Sequence, residues 1–139
     1  VRRRSDFCLL DAPAGLGRGF QLATCAADRC VVVTTADASS LRDAQHTVME
    51  LDRFPAGTLH LVVNRVRKKL LRQLHATIDD AIDKAGLPLL GVVPEDDALP
   101  LCMNRGVPIL LADGQSAASA YRNIAKRLQG ERVPLLRIR

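Results

Sequence analysis

The stretch DFCLLDAPAGLGRG, Asp6 to Gly19, decides the fold of this chain. Phe7, Cys8, Leu9 and Leu10 form an apolar run between two acids, the pattern of a short strand buried on both faces of a parallel sheet. Asp11 then falls at the carboxyl end of that strand. Open α/β sheets hold their ligands at those ends, so a carboxylate there can reach a metal or a phosphate. Pro13 fixes one φ angle, and Gly15, Gly17 and Gly19 let backbone amides turn towards an anion with no Cβ in the way. FQLATCAA, from Phe20, is rich in helix formers and small residues. It predicts a helix from near Arg18 to Asp28, with its amino end facing the same place as Asp11. CVVVTT, Cys30 to Thr35, is β-branched and makes a second interior strand.

The chain has 139 residues, 47% of them hydrophobic and 25% charged, which fits one globular domain spanning 1–139. Apolar runs are strand-sized, and VRRR leads straight into the first strand, so neither a membrane span nor a signal peptide is expected. A cytoplasmic protein is the default. The net charge of +5 attracts nucleic acid or anionic lipid modestly, but aromatics make up only 3% of the chain and leave little for base stacking. Cys8, Cys25, Cys30 and Cys102 lack the CxxC spacing of a metal site, and Cys8 is expected to be buried within its strand.

Further along, Ser39 or Ser40 can cap a helix whose apolar face runs through Leu41, Ala44, His46, Val48, Leu51 and Phe54, stopping before Pro55. Leu59 to Asn64 is a third strand, ending on a side-chain amide that can pair with the edge of a purine. The basic run RVRKKLLR, Arg65 to Arg72, continues at helical spacing through Leu74, Ile78, Ala81 and Ile82, and reads as a solvated helix face. His75 on that run has no partner that would make it a ligand or a base. Leu89 to Val93 is a fourth strand, followed by Pro94, Glu95, Asp96 and Asp97 at the start of a short helix that ends at Gly106. Val107 to Leu111, with its proline, suits a brief edge segment. Ala117, Ala120, Tyr121, Ile124, Ala125 and Leu128 trace the buried side of a last helix ending at Gly130.

Several of these motifs together resemble the MinD/ParA family of P-loop ATPases. DAPAG, at Asp11 to Gly15, is similar to that family's D-x-P-A-G. GVVPED, at Gly91 to Asp96, is similar to its G-V-I-P-E-D. Asn64-Arg65 matches its N-R or N-K strand end, SSLRD at Ser39 to Asp43 its S-S-x-R-D, and NRGVPIL with Ala120-Tyr121 its closing region. The resemblance implies a three-layer, mostly parallel P-loop NTPase-like sheet flanked by helices. ATP and Mg²⁺ are the implied ligands: Asp11 would be the catalytic acid, holding Mg²⁺ through water, and Gly15 would meet the γ-phosphate. Asn64 and Arg65 would meet the adenine, and Pro94, Glu95 and Asp96 its other edge. Ser39, Ser40, Arg42 and Asp43 would lie at the dimer interface and the surface that activators touch, although helix capping and solvation explain them equally well.

The same resemblance implies a homodimer that hydrolyses ATP when an activator of MinE type binds. It also implies attachment to the inner face of the cell membrane, through a tail beyond Arg139, and control of septum placement. The chain matches only about the carboxyl half of the family domain. It contains no G-x-x-x-x-G-K-[ST] phosphate loop, so it would be inactive alone. Family sheets seat the P-loop strand between those corresponding to Phe7–Leu10 and Val31–Thr35. Without it, either these two pair directly or an apolar slot is left between them, with reduced stability. Two other functions suit the residues: a ParA-like partition ATPase binding DNA through Arg67, Lys68, Lys69 and Arg72, or an interaction module without nucleotide chemistry.

Overall fold

The computed structural model describes residues 5–73, 77–112 and 116–136. Three strands, β1 (Cys30–Thr34), β2 (Leu59–Val66) and β3 (Leu89–Pro94), lie side by side in that order, and both pairs are parallel. The crossovers carry helices: α1 (Arg18–Ala26) precedes β1, and α2 (Ala38–Met49) joins β1 to β2. α3 (Lys68–Gln73) and α4 (Ile78–Ala85) join β2 to β3, and α5 (Ala98–Asn104) and α6 (Ser116–Leu128) follow β3.

Side chains alternate across a strand, so the central strand serves two cores. Leu61, Val63 and Val66 of β2 pack with Leu41 and Ala44 of α2 and with Ala81 and Ala85 of α4 on one face. Val62 points the other way and meets Leu90, Val93 and the small stripe Ala117, Ala118 and Ala120 of α6. Leu61 and Val63 are fully buried, and a leucine taken wholly out of water contributes about 1.5–3 kcal/mol. The alanines let α6 sit close to the sheet. Gly91 lets it sit closer still, because a Cβ there would collide with the Ile124 side chain.

Local signals explain the helix ends. Thr77 and Asp80 form a reciprocal capping box at the start of α4, and Gly86 closes that helix at φ 66°, a left-handed conformation that glycine adopts without strain. The box splits the expected helix through Ile82 into α3 and α4, while Leu74 and His75 lie outside the described residues. At α2 the cap is Asp37, whose carboxylate accepts from the Ser40 amide at 3.0 Å, in place of Ser39 or Ser40. His46 and Ala125, expected on buried faces, are exposed. Val107 to Leu111 does not form an edge strand. Ile109–Leu111 is a 3-10 turn, buried at Ile109 and held where Arg122 Nη2 donates to the Leu110 carbonyl at 2.6 Å.

The largest departure is at the amino end. Phe7 to Leu10 forms no strand. Phe7 is 69% exposed and Leu9 91%, and Cys8 is exposed rather than buried. Of the two alternatives, the open slot is the one found. A cleft of about 2000 Å³ lies between residues Ser5 to Pro13 and β1, lined also by Thr24, Leu51 and Leu128. A strand needs a neighbour to accept and donate its backbone hydrogen bonds, and apolar side chains cannot substitute for one. β1 pairs with β2 alone among the described residues, so its outer edge faces the cleft. Val31 and Val33, on the face opposite α2, are left open.

Candidate functional site

All three strands are parallel, so their carboxyl ends share one rim. β2 reaches that rim irregularly. It runs two residues past Asn64, which is therefore not the last residue of its strand, and its register with β3 breaks between Val63 and Val66. Asn64 Oδ1 accepts from the Arg65 amide at 2.9 Å, and Arg65 takes φ 54°, a left-handed conformation rare for a residue with a side chain. The bulge carries Arg65 out to solvent while Val66 returns to the core, a common way to re-aim a side chain beside a site.

Pro94, at the end of β3, stands opposite Val66, and the Glu95 amide donates to the Val66 carbonyl at 3.1 Å. The Glu95 carboxylate then receives two guanidinium groups from β2 and the residue after it. Arg67 Nε donates at 2.8 Å and Arg65 Nη2 at 3.2 Å. The Arg67 hydrogen bond, helped by that of Arg65, holds the Glu95 carboxyl below its ordinary range. Arg67 was expected on a solvated basic face or, in the ParA-like alternative, against DNA. The i, i+2 spacing of two arginines, with a glutamate just past the end of the neighbouring strand, is the signal that could have found it.

Asp96 turns away from this fork. Its Oδ1 accepts from the Ala98 amide at 3.1 Å, and its Oδ2 accepts from the Ala117 amide at 3.1 Å and the Ser116 hydroxyl at 3.2 Å. Burial pushes the Asp96 carboxyl up, but these donors outweigh it and leave the group below its usual range. One carboxylate thus fastens the starts of α5 and α6 together, and its oxygens are engaged with protein donors.

On the other side of β2, Asp11, Asn64, Ser40 and Asp43 line the cleft together. Asp11 is exposed and ends no strand, but it lines the open cleft and is not buried. Gly15 lies two residues beyond Pro13 at φ 85°, with open space where a Cβ would stand. Gly19 is pressed against the Pro13 ring, which fixes the turn into α1. Thr35 adds a network that no motif announced: its hydroxyl donates to Asp37 Oδ2 and accepts from the Ser40 hydroxyl at 2.8 Å. The Ser40 amide and the Thr35 hydroxyl hold the Asp37 carboxyl down at about 2. Ser39, Arg42 and Asp43 are exposed on α2 and Ser40 is half-buried.

No group of three His, Cys, Asp or Glu side chains gathers as a metal site among the described residues. Mg²⁺ is commonly held by one or two carboxylates with phosphate oxygens and water completing the shell, and a lone exposed Asp11 on the cleft fits that arrangement. No helix among the described residues is long and apolar enough to cross a membrane.

A parallel sheet between two helical layers, with its polar and charged groups gathered on the carboxyl rim, defines a three-layer α/β domain of the P-loop NTPase-like class. No protein-family model matches the sequence. The chain is 36% identical over 137 residues to the septum site-determining protein MinD of Bacillus subtilis, covering 97% of this chain and 51% of that protein. The MinC:MinD cell division protein complex of Aquifex aeolicus superimposes at a TM-score of 0.84 with 33% identity, over 91% of this chain and 52% of that one. MinD of Pyrococcus horikoshii complexed with Mg-ADP gives 0.72 with 26% identity, over 85% and 48%. The chain belongs to the MinD/ParA family and spans about half the length of the curated relatives it matches.

Proposed function

We propose that this chain is the carboxyl-terminal, base-binding half of a MinD-like ATPase that acts in placing the division septum. The observation that carries this reading is the gathering of Asn64, Arg65, Pro94 and Glu95 on one rim, with Asp11 lining the cleft that Asn64 borders. Asn64 and Arg65 meet the adenine, and the backbone at Pro94 and Glu95 closes its other edge. Asp96 acts from behind, holding the loop after β3 against α5 and α6. Asp11 holds Mg²⁺ through water, and the Gly15 amide faces the γ-phosphate. Mg²⁺, when bound, neutralises phosphate charge.

The phosphate loop is not in this sequence, so hydrolysis belongs to the full-length dimer. In this reading the cleft beside β1 is the seat of the strand that carries that loop. The exposed side of α2 at Ser39, Ser40, Arg42 and Asp43 is the surface for the second subunit and for partner proteins. The MinC complex of the Aquifex relative supports partners drawn from the division system. Membrane attachment in the ATP-bound state would follow from a tail outside this sequence.

The test is a chimera that joins the upstream half of the Bacillus subtilis relative to residue 1 of this chain, titrated with Mg-ADP by calorimetry. Binding is expected, and Asp11→Asn and Asn64→Ala are each expected to weaken it by about tenfold, the worth of one good polar contact. A folded chimera that binds no nucleotide would leave only the interaction-module reading. A steeply salt-dependent affinity for DNA would favour the partition ATPase instead.

A further inference from the structure

The fork on Glu95 is built asymmetrically, and no motif of the family match contains its second arginine. Arg67 holds Glu95 through Nε at 2.8 Å, whereas Arg65 reaches it through Nη2 at the longer 3.2 Å, with two-thirds of its side chain in solvent. Two guanidinium groups share the Glu95 carboxylate, and the Asp97 carboxylate attracts Arg67 as well, so Arg67 is the more firmly held of the two. Val66, between them, is buried in the core and bonded to the Glu95 amide, which keeps both arginines on the same side of the strand. Arg65 is further constrained by its left-handed backbone and by the Asn64 side chain on its amide.

We propose that Arg67 is a positioning residue for base recognition: it keeps Glu95 seated on the rim, so that Arg65 can leave the carboxylate and meet a purine base. The proposal rests on the base-binding reading given above. In the free chain, Arg65 and Arg67 share Glu95. With a purine nucleotide bound, Arg65 exchanges its longer contact for the ligand, while the Arg67 bond holds the tip of β3 against the tip of β2. Without Arg67, Arg65 becomes the sole partner of Glu95 and is held back from the base. The phosphate and the sugar are untouched by this exchange, so the effect is on discrimination between bases.

The experiment uses the 139-residue chain, labelled with ¹⁵N and titrated with adenosine monophosphate and, separately, cytidine monophosphate. The Arg65 and Arg67 Nε–H resonances are followed alongside the affinities. In the unsubstituted chain, the adenine nucleotide should bind more tightly than the cytosine one and should shift the Arg65 resonance more than that of Arg67. Arg67→Gln should reduce the adenine preference by about tenfold, the order expected for one charge-assisted hydrogen bond, with an unchanged unfolding midpoint. Arg67→Lys should restore part of the preference, since it returns the charge to Glu95. Asn64→Ala serves as the control for the base site and should abolish the preference. If Asn64→Ala abolishes it and Arg67→Gln does not, base binding stands and the role of Arg67 is overturned. If neither changes it, or the unsubstituted chain shows no preference, the base reading falls and the proposal falls with it.

Discussion

β3 and β1 are strands of one sheet with similar sequences, LLGVVP and CVVVT, yet they occupy opposite environments. β3 has α6 against one face and the α4 side of the core against the other, and Leu90, Val92 and Val93 are all buried. In β1, Val32 is buried beneath α2, but Val33 remains 60% exposed across the sheet. A β-branched run therefore announces a strand without announcing that both its faces will be covered. Phe7 to Leu10 carries this further: among the described residues it joins no strand and stays outside the sheet. Burial is decided by what packs over each face: β1 and β3 each pair with β2 alone among the described residues, but only β3 has packing against both of its faces.

Substitutions in β2, in β3, at the cap of α2 and in the amino-terminal stretch test that contrast. Leu61→Ala, in the central strand, should destabilise the chain by about 2–5 kcal/mol in urea unfolding, because the truncated site is closed in on both sides and cannot collapse. Gly91→Ala tests the close approach of α6 to β3. It should lower the same midpoint by the equivalent of about 1–3 kcal/mol as Ile124 is forced aside, and Ile124→Ala should relieve most of that loss.

Asp37 lies near the open side, and its effect is on a helix end rather than on the core. Asp37→Ala should cost about 1 kcal/mol at neutral pH through loss of the α2 cap. The folded carboxyl sits at about 2, against an ordinary 3.8. Its stabilisation is therefore fully present above pH 4 and is lost as pH falls through about 2. Asp37→Asn keeps the cap, so a pH titration of unfolding should show this variant losing less stability than the parent chain in that window. Smallest of all, Leu9→Ser should change stability by less than about 0.5 kcal/mol, since Leu9 already stands in water. A loss as large as that at Leu61 would mean that the stretch is packed in solution.

Much of the architecture was legible because it depends on local chemistry. The three strands β1 to β3 follow from their apolar runs, α1 from its small helix formers, and the end of α5 from Gly106. The likeness of DAPAG, Asn64-Arg65 and GVVPED to one family was also legible, because each motif is a few adjacent residues. Less visible were contacts between residues distant in sequence. Asp96 reaches α6 across a separation of 21 residues, and Arg67 reaches Glu95 across 28. The cap at Asp37 was missed for a different reason. Three closely spaced polar candidates, Asp37, Ser39 and Ser40, compete at the same helix start, and it is the Asp37 carboxylate that accepts from the Ser40 amide.

Hydrophobic period and short motifs in the sequence suffice for the strands β1 to β3, the parallel α/β class and the family, since each rests on a few adjacent residues. The tertiary structure decided which apolar residues are buried, that the cleft beside β1 stays open, and that Glu95 is shared between two arginines. Those outcomes depend on which backbone and which side chain arrive from elsewhere in the chain, and no local window of residues carries that information.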